Sequence, residues 1–480
     1  MPDAEAGPPF RVGDGAHEVN NLGVQASTGS TQQDPVPGHD AGDEDINGRS
    51  NPGSSGSTTG YRPGEMWGDR DVRRVVLARF VSRVGGEAAF FVGIWGKAAF
   101  ELEASAGGVA AVMAALGVAS LIGSAVAGVL VDRFGPRRVV MVGELIFIPV
   151  AIGMVFADSL PTLVGATFLL GLAGMPVYTA IASFGPFLTD DPERLARVNS
   201  LIEGASWAAF VVGPALGAII AGSIGLDGIF VLDAATSGVA AFLIFPVSAR
   251  KLAKEKEQHE GLEELREGFA YAYANHRLRF YIWLGSSVWV LFGTFSALEP
   301  LFYRDILEVE PETLGWVNSI FGLGLVAGTI VASQLPQRFR TARFLVLVVA
   351  LNSVGVLAYV GTDQLRVVVI AGILWGFLIG VMAPLLRTLI QLNTADEMMG
   401  RITGVTQVHS EVGHLLPLAL APVLAGLFGV QSTLIYAGIA LAVFALLFVP
   451  TATRLDRTRT AEVPPTGLPD PNDEPRSVGH

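Results

Sequence analysis

The chain has 480 residues, of which 51% are hydrophobic and only 16% charged, and its mean hydropathy is +0.49; soluble domains average about 25% charged residues, so this balance argues against a soluble enzyme. The absence of cysteine excludes disulfides, thiolate catalysis and Cys-ligated metal sites. The net charge of −12 says little about partners, because acidic tails supply much of it, and nothing points to nucleic acid.

Residues 1–70 are rich in Gly, Ser, Asp and Pro and lack apolar clustering. They read as a disordered tail, without the basic-then-apolar pattern of a signal peptide. About twelve apolar runs of bilayer-crossing length follow, near 76–98, 107–131, 138–157, 162–187, 199–222, 228–247, 279–303, 313–335, 342–360, 365–391, 401–427 and 431–450. The predicted fold class is therefore all-α, a polytopic membrane protein. Its parts are a six-helix half over 71–247, a linker over 248–278, a second six-helix half over 279–450 and a disordered tail over 451–480.

Span one carries Arg79, Arg83 and Glu87 at i, i+4 and i+8, stacked on one face. Glu87 lies roughly 15–18 Å into the bilayer at 1.5 Å per residue. Charge at that depth is expensive, which makes each such residue a functional candidate. Glu87 reads either as a proton-titrated carboxylate or as the partner of a static Arg83–Glu87 ion pair.

Between spans two and three stands "GVLVDRFGPRR". Gly128 would let two helix backbones approach closely. Asp132 could accept from a neighbouring helix N-terminus or pair with arginine. Gly135 and Pro136 force a tight turn. Arg133, Arg137 and Arg138 serve the positive-inside bias and can grip lipid headgroups. Read by its residues alone, the loop is a topological anchor with charges for insertion.

Span five holds "AAFVVGPALGAI", where Ala209, Gly213, Pro214, Gly217 and Ala218 allow close crossing and a bend. In span six, Asp233 reads more readily as a helix-start or packing residue than as a ligand. In the linker, Leu262, Leu265, Phe269 and Ala272 recur at helical spacing, which predicts an amphipathic helix at the interface tying the two halves together. Glu203, Glu299 and Arg387 lie close enough to span ends to be solvated or to snorkel. Trp95, Trp207, Trp289 and Trp375 could line a cavity for a bulky apolar substrate or serve as packing residues.

Span eleven carries "HSEVGH", with His409, Glu411 and His414. The spacing is not that of a H-E-x-x-H zinc helix, so no metal site is expected. A proton relay or a polar substrate contact fits, since histidine titrates near neutral pH; hydrogen-bonded core histidines are the alternative.

Basic residues fall in alternate loops: Arg133, Arg137 and Arg138; Arg194 and Arg197; Arg250, Lys251, Lys254 and Lys256; Arg338, Arg340 and Arg343; and Arg401. The other loops are mainly acidic. The bias predicts that both termini are cytoplasmic. The halves also repeat: "PERLARVNS" after span four aligns with "DEMMGRITG" after span ten, pairing Arg197 with Arg401 and Glu193 with Glu397. Matching six-span halves mark transporters whose halves rock about a central site.

"GVLVDRFGPRR" resembles the G-x-x-x-D-R-x-G-R-R/K loop of the major facilitator superfamily. "SRVGGEAAFFVGIW", "LEELREGFAYAYANHRLRF" and "PERLARVNS" resemble its branch of enterobactin exporters, macrolide-efflux proteins and lysophospholipid transporters. The resemblance covers roughly residues 70–450. It implies two pseudo-symmetric six-helix bundles, and a latch between them formed by the loop that contains Asp132. It also matches Glu144 to an acid common in this branch, although Phe147 stands where the branch tends to place arginine. The span-five pattern is similar to the G-P motif of drug:proton antiporters, which tilts the direction toward export.

The expected function is secondary active export of an amphiphilic small molecule, such as a drug or siderophore, coupled to protons through Glu87 and the Glu411–His414 pair. The protein is expected as a monomer in the plasma membrane, with a small-molecule substrate, the bilayer as its other partner and no cofactor. No phosphate-binding loop is present to support direct ATP hydrolysis. A lysophospholipid facilitator and a transport-inactive scaffold or sensor are the alternatives.

Overall fold

The computed structural model describes residues 69–248 and 261–462. Arg250, Lys251, Lys254, Lys256 and the tails over 1–68 and 463–480 lie outside them. Among the described residues the chain is helical and without strands.

Helix α1, Arg70–Ala88, runs on through π-helical turns over Ala89–Ile94 and Lys97–Glu101. The first half continues with α2 (Ala106–Phe134), α3 (Pro136–Val155), α4 (Leu160–Ala182), α5 (Pro192–Ile224) and α6 (Asp227–Ile244). The linker forms α7 (Gly261–Ala274). The second half is α8 (His276–Asp305), α9 (Glu312–Ser333), α10 (Ala342–Val360), α11 (Leu365–Gln391), α12 (Met399–Phe428) and α13 (Val430–Glu462). Eleven of these helices are long and apolar enough to cross a membrane. The charge-rich α1 falls outside that composition, but it packs on α5 and α6 as the remaining member of the first bundle.

Local sequence sets the helix ends. The Asp69 carboxylate accepts from the amides of Asp71 at 2.9 Å and Val72 at 3.3 Å, capping α1. Gly135, at φ +78°, and Pro136 at the first position of α3 make the sharp corner expected inside "GVLVDRFGPRR". Gly225 and Gly429 end α5 and α12 with φ of +86° and +87°, a region costly for any side chain. Each stands 28 residues after the arginine, Arg197 or Arg401, that aligned the two halves. The repeat thus extends from sequence into backbone conformation.

Packing repeats as well. In the first half α1 packs on α5, α2 on α4 and α3 on α6; in the second, α8 packs on α12, α9 on α11 and α10 on α13. The halves meet along α5–α9 and along α2 with α8 and α12. Helix α7 packs against α8 and α12, so it is an element of the second half rather than a tie between the two. Glu267 pairs with Arg401 at 2.9 Å, and Tyr273 Oη lies 2.9 Å from His409 Nε2. The side chain of Leu262 lies outside the description, Leu265 and Phe269 are half-buried, and Ala272 is fully buried.

The final helix continues to Glu462, past the Thr451 at which a disordered tail was expected. Ala452 and Leu455 are buried there, and the Asp456 carboxylate accepts from the amides of Ala342 at 2.9 Å and Arg343 at 3.0 Å, capping α10. Composition alone made this stretch look like tail, because its anchor is a contact across more than a hundred residues. Asp456→Ala is expected to lower the thermal midpoint of the purified protein through loss of about 1–2 kcal/mol of capping energy, while Asp456→Asn retains most of it.

Candidate functional site

The helices start and end on two sides, called here the terminus side, where α1 begins and α13 ends, and the far side. Between the two halves lies a cavity of about 750 Å³. Eleven aromatic residues line it: Phe90, Phe91, Trp95, Trp207, Phe210, Trp289, Phe292, Phe295, Phe321, Tyr359 and Trp375. The four tryptophans singled out in the sequence are among them. Arg387, Gln391, Met399 and Thr403, from the terminus-side ends of α11 and α12, continue the wall in that direction.

Contacts between the halves concentrate toward the other end. Arg304 on α8 donates to the carbonyls of Ala99 at 2.6 Å and Ala104 at 3.2 Å, at the end of the α1 run. Ser319 on α9 donates to the Val211 carbonyl at 2.7 Å, and Gly315 lies against Pro214 and Ala218 of α5. On the terminus side Arg194 pairs with Asp69, Arg343 with Asp456 and Arg401 with Glu267, each within one half. The cavity is accordingly open toward the terminus side and sealed on the far side.

A second pocket, of about 400 Å³, lies within the first half and gathers Arg79, Arg83, Glu87, Glu144, Tyr178 and Asp233. Arg83 pairs with Glu87 at 2.5 Å. Arg79 donates to Ser206 Oγ at 2.7 Å and stacks on the Tyr178 ring at 4.2 Å. Glu144, beside Ser82 and Ser237, and Asp233 are each 1% exposed. Each has one carboxylate oxygen buried without a hydrogen-bond partner. Asp233 therefore belongs to a cluster of three buried acids, rather than standing apart as a helix-start residue. On the far side of this half, fully buried Lys97 joins α1, α3 and α6 through Asp227 at 2.8 Å and the Val155 carbonyl at 3.2 Å; nothing in the sequence pattern drew attention to it.

The span-five motif forms the tight α1–α5 crossing and touches the second half. Gly213 faces Glu87 and Val84, Gly217 faces Ala88 and Val92, and Pro214 faces Gly315 across the halves. The "HSEVGH" residues divide between two faces, because residues two apart on a helix point opposite ways. Glu411 accepts from Gln407 at 2.8 Å, and His414 Nε2 lies 3.0 Å from Ser296 Oγ on the cavity wall. His409 turns away to Tyr273 and Phe269 of α7. There it borders an apolar lateral groove of about 870 Å³ between α8, α12 and α13. No metal-binding cluster occurs among the described residues.

The loop motif divides too. Arg137 donates to the Phe245 carbonyl, while Arg133 and Arg138 are exposed. Asp132 is exposed and makes no ion pair among the described residues. A side chain at Gly128 would meet open space, so the close helix approach expected there is absent with the terminus side open.

The most informative residue that sequence reading misplaced is Glu299. Six residues from the end of α8, it was assigned to the interface. It is 7% exposed, on the cavity wall, and accepts from Tyr359 Oη at 2.6 Å. Position along a helix gives depth but not which neighbour stands beside it.

The sequence profile of the Major Facilitator Superfamily matches residues 75–417 and 300–472. Multidrug efflux pump Tap of Mycobacterium bovis is 27% identical over 392 residues, 75% of this chain and 89% of its own length. Enterobactin exporter EntS of Citrobacter koseri is 24% identical over 368 residues, 74% of this chain and 85% of its own. Among solved structures, nucleoside transporter NupG aligns over 79% of this chain and 98% of its own, with a TM-score of 0.64 and 12% identity. A POT family transporter in complex with 5-aminolevulinic acid gives a TM-score of 0.64 over 80% of this chain and 96% of its own, at 13% identity. The two structural likenesses speak to fold alone.

Proposed function

Because this chain belongs to the Major Facilitator Superfamily, we propose that it is a proton-coupled exporter of amphiphilic small molecules, working by alternating access. The observation that carries this reading is the aromatic cavity between two similarly packed halves, open at one end and sealed at the other. The Lys and Arg bias of the loops makes the open end cytoplasmic, and with it both termini. The cargo would enter there, and release requires the Arg304 seal to part and the terminus side to close, bringing Asp132 toward the second half. The plasma membrane, with the chain as a monomer, is the setting this predicts; neither a cofactor nor an enzymatic step enters it.

Coupling is assigned to the acid cluster of the first half. Glu87 sits against Gly213 at the α1–α5 crossing, where a change in its pairing with Arg83 bears directly on how those helices pack. His414, on the opposite wall, and Glu411, about one turn before it on α12, are the second candidates. The relatives' names, a multidrug pump and a siderophore exporter, agree on outward movement.

In everted vesicles, wild type is expected to build a gradient of an amphiphilic dye that collapses with a protonophore. Glu87→Gln is expected to cut the ΔpH-driven rate at least tenfold, while dye binding in the absence of a gradient persists. A gradient indifferent to both ΔpH and the substitution sinks proton coupling. The lateral groove between α12 and α13 favours one other reading, movement of lysophospholipids between leaflets; accumulation of labelled lysolipid in place of dye selects it.

A further inference from the structure

The sealed end of the central cavity presents one carboxylate inside an aromatic enclosure. Trp375 lies with its ring centroid 5.0 Å from that of Phe295, 5.2 Å from Phe321 and 5.4 Å from Tyr359, all on the cavity wall beside Glu299. The hydrogen bonds run in one direction. Tyr359 has a single hydroxyl proton and gives it to Glu299, so the contact of 2.5 Å between the Tyr303 and Tyr359 hydroxyls must use the Tyr303 proton. Glu299 thus has one neutral donor and no cationic partner among the described residues.

The cations nearby are occupied or remote. Arg304 is engaged with Asp305 at 2.6 Å and with the Ala99 and Ala104 carbonyls. Arg387 is on the same wall but at its other end: it is four residues from the terminus-side end of α11, whereas Glu299 is six from the far-side end of α8. At 1.5 Å per residue the two are on the order of 25 Å apart along the bundle. A carboxylate withdrawn from water without a cation carries a large desolvation cost. Aromatic faces attract cations, more strongly where water is excluded. A cavity of about 750 Å³ has the volume of a drug-sized ligand.

We infer that Glu299 and the rings around Trp375 bind the cationic group of the cargo, so that the transported class is organic cations with a bulky apolar body. This rests on reading the central cavity as the cargo site. It assigns cargo selection to the second half, apart from the Arg83–Glu87 pair of the first.

The test is equilibrium dialysis on the purified full chain with two probes of matched shape and opposite charge, tetraphenylphosphonium and tetraphenylborate. Wild type is expected to bind the phosphonium saturably and the borate at least tenfold more weakly. Glu299→Gln is expected to weaken phosphonium binding about tenfold or more, while Glu299→Asp keeps most of it. Tyr359→Phe removes the donor and leaves the carboxylate, so it is expected to bind the phosphonium at least as tightly as wild type. This variant also answers for a Glu299→Gln protein that fails to fold, since a structural role alone predicts that it weakens both probes alike. The inference is overturned if wild type binds both probes equally, if Glu299→Gln binds the phosphonium as wild type does, or if Tyr359→Phe loses both. Binding is read without flux, so a chain that binds through Glu299 and moves nothing in vesicles refutes export and leaves this assignment standing.

Discussion

Replacing Arg304 with alanine is expected to open the far side of the protein. Its guanidinium donates to the Ala99 carbonyl in the last turn of the α1 run, where carbonyls lack an intrahelical partner, and to the Ala104 carbonyl in the loop that follows. A cation at a helix C-terminus also meets the negative end of the dipole. Helix α8 belongs to the second half and α1 to the first, so these bonds exist only while the far side is closed. Hydrogen bonds to charged groups contribute about 1.5–3 kcal/mol, and each 1.4 kcal/mol is about tenfold in an equilibrium constant. The open population should therefore rise on the order of tenfold to a hundredfold. The chain has no cysteine, so spin labels can be placed without background at Asp158→Cys and Asp363→Cys, exposed far-side loop positions in opposite halves. Arg304→Ala should add a longer distance to the distribution between them and slow export. An unchanged distribution removes Arg304 from the seal. Arg304→Lys, which keeps the charge but not the fork, should fall between the two.

Gly213→Val should abolish export and destabilise the protein. A Cβ at Gly213 would stand 2.6 Å from Glu87 Cβ and 2.7 Å from the Val84 carbonyl oxygen, neither of which is the free end of a flexible side chain. The helices must separate, and overpacking of this kind costs about 1–3 kcal/mol or more. Separation acts at the residue paired with Arg83, one helix away from the Gly315–Pro214 contact between the halves. A fall in thermal midpoint together with export reduced on the order of a hundredfold is the expected pair of results. Gly128→Ala is the internal control for packing: its added methyl meets nothing within 4 Å, so the thermal midpoint should match wild type. A Gly213→Val midpoint equal to that of Gly128→Ala would remove the α1–α5 crossing as a point of tight packing.

The two glycines show why motif reading takes a site only part of the way. Both belong to small-residue patterns, and the sequence offers the same argument for each. The fold places Gly213 in a helix crossing and leaves Gly128 facing open space. The "HSEVGH" stretch behaves alike: its spacing excluded a zinc helix, but only the fold brings His409 to α7 and His414 to the cavity. Glu87, Glu144 and Asp233 were each visible as an acid within a span, yet they lie on α1, α3 and α6, and only the packing of those helices makes them one pocket.

Hydropathy, loop charge and the repeat determined by themselves that this chain crosses a membrane many times, in two six-span halves of the kind found in transporters. Those properties are sums over segments, and each segment carries its own share of the signal. The contact of Arg304 across the halves, the Asp456 cap on α10, and the carboxylate of Glu299 inside its aromatic enclosure were decided only by the tertiary structure. The reason is physical: a bilayer constrains every span in the same way according to its composition, whereas the cost or benefit of one charge depends on which atoms stand within a few ångströms of it. Those atoms come from helices far apart in the chain.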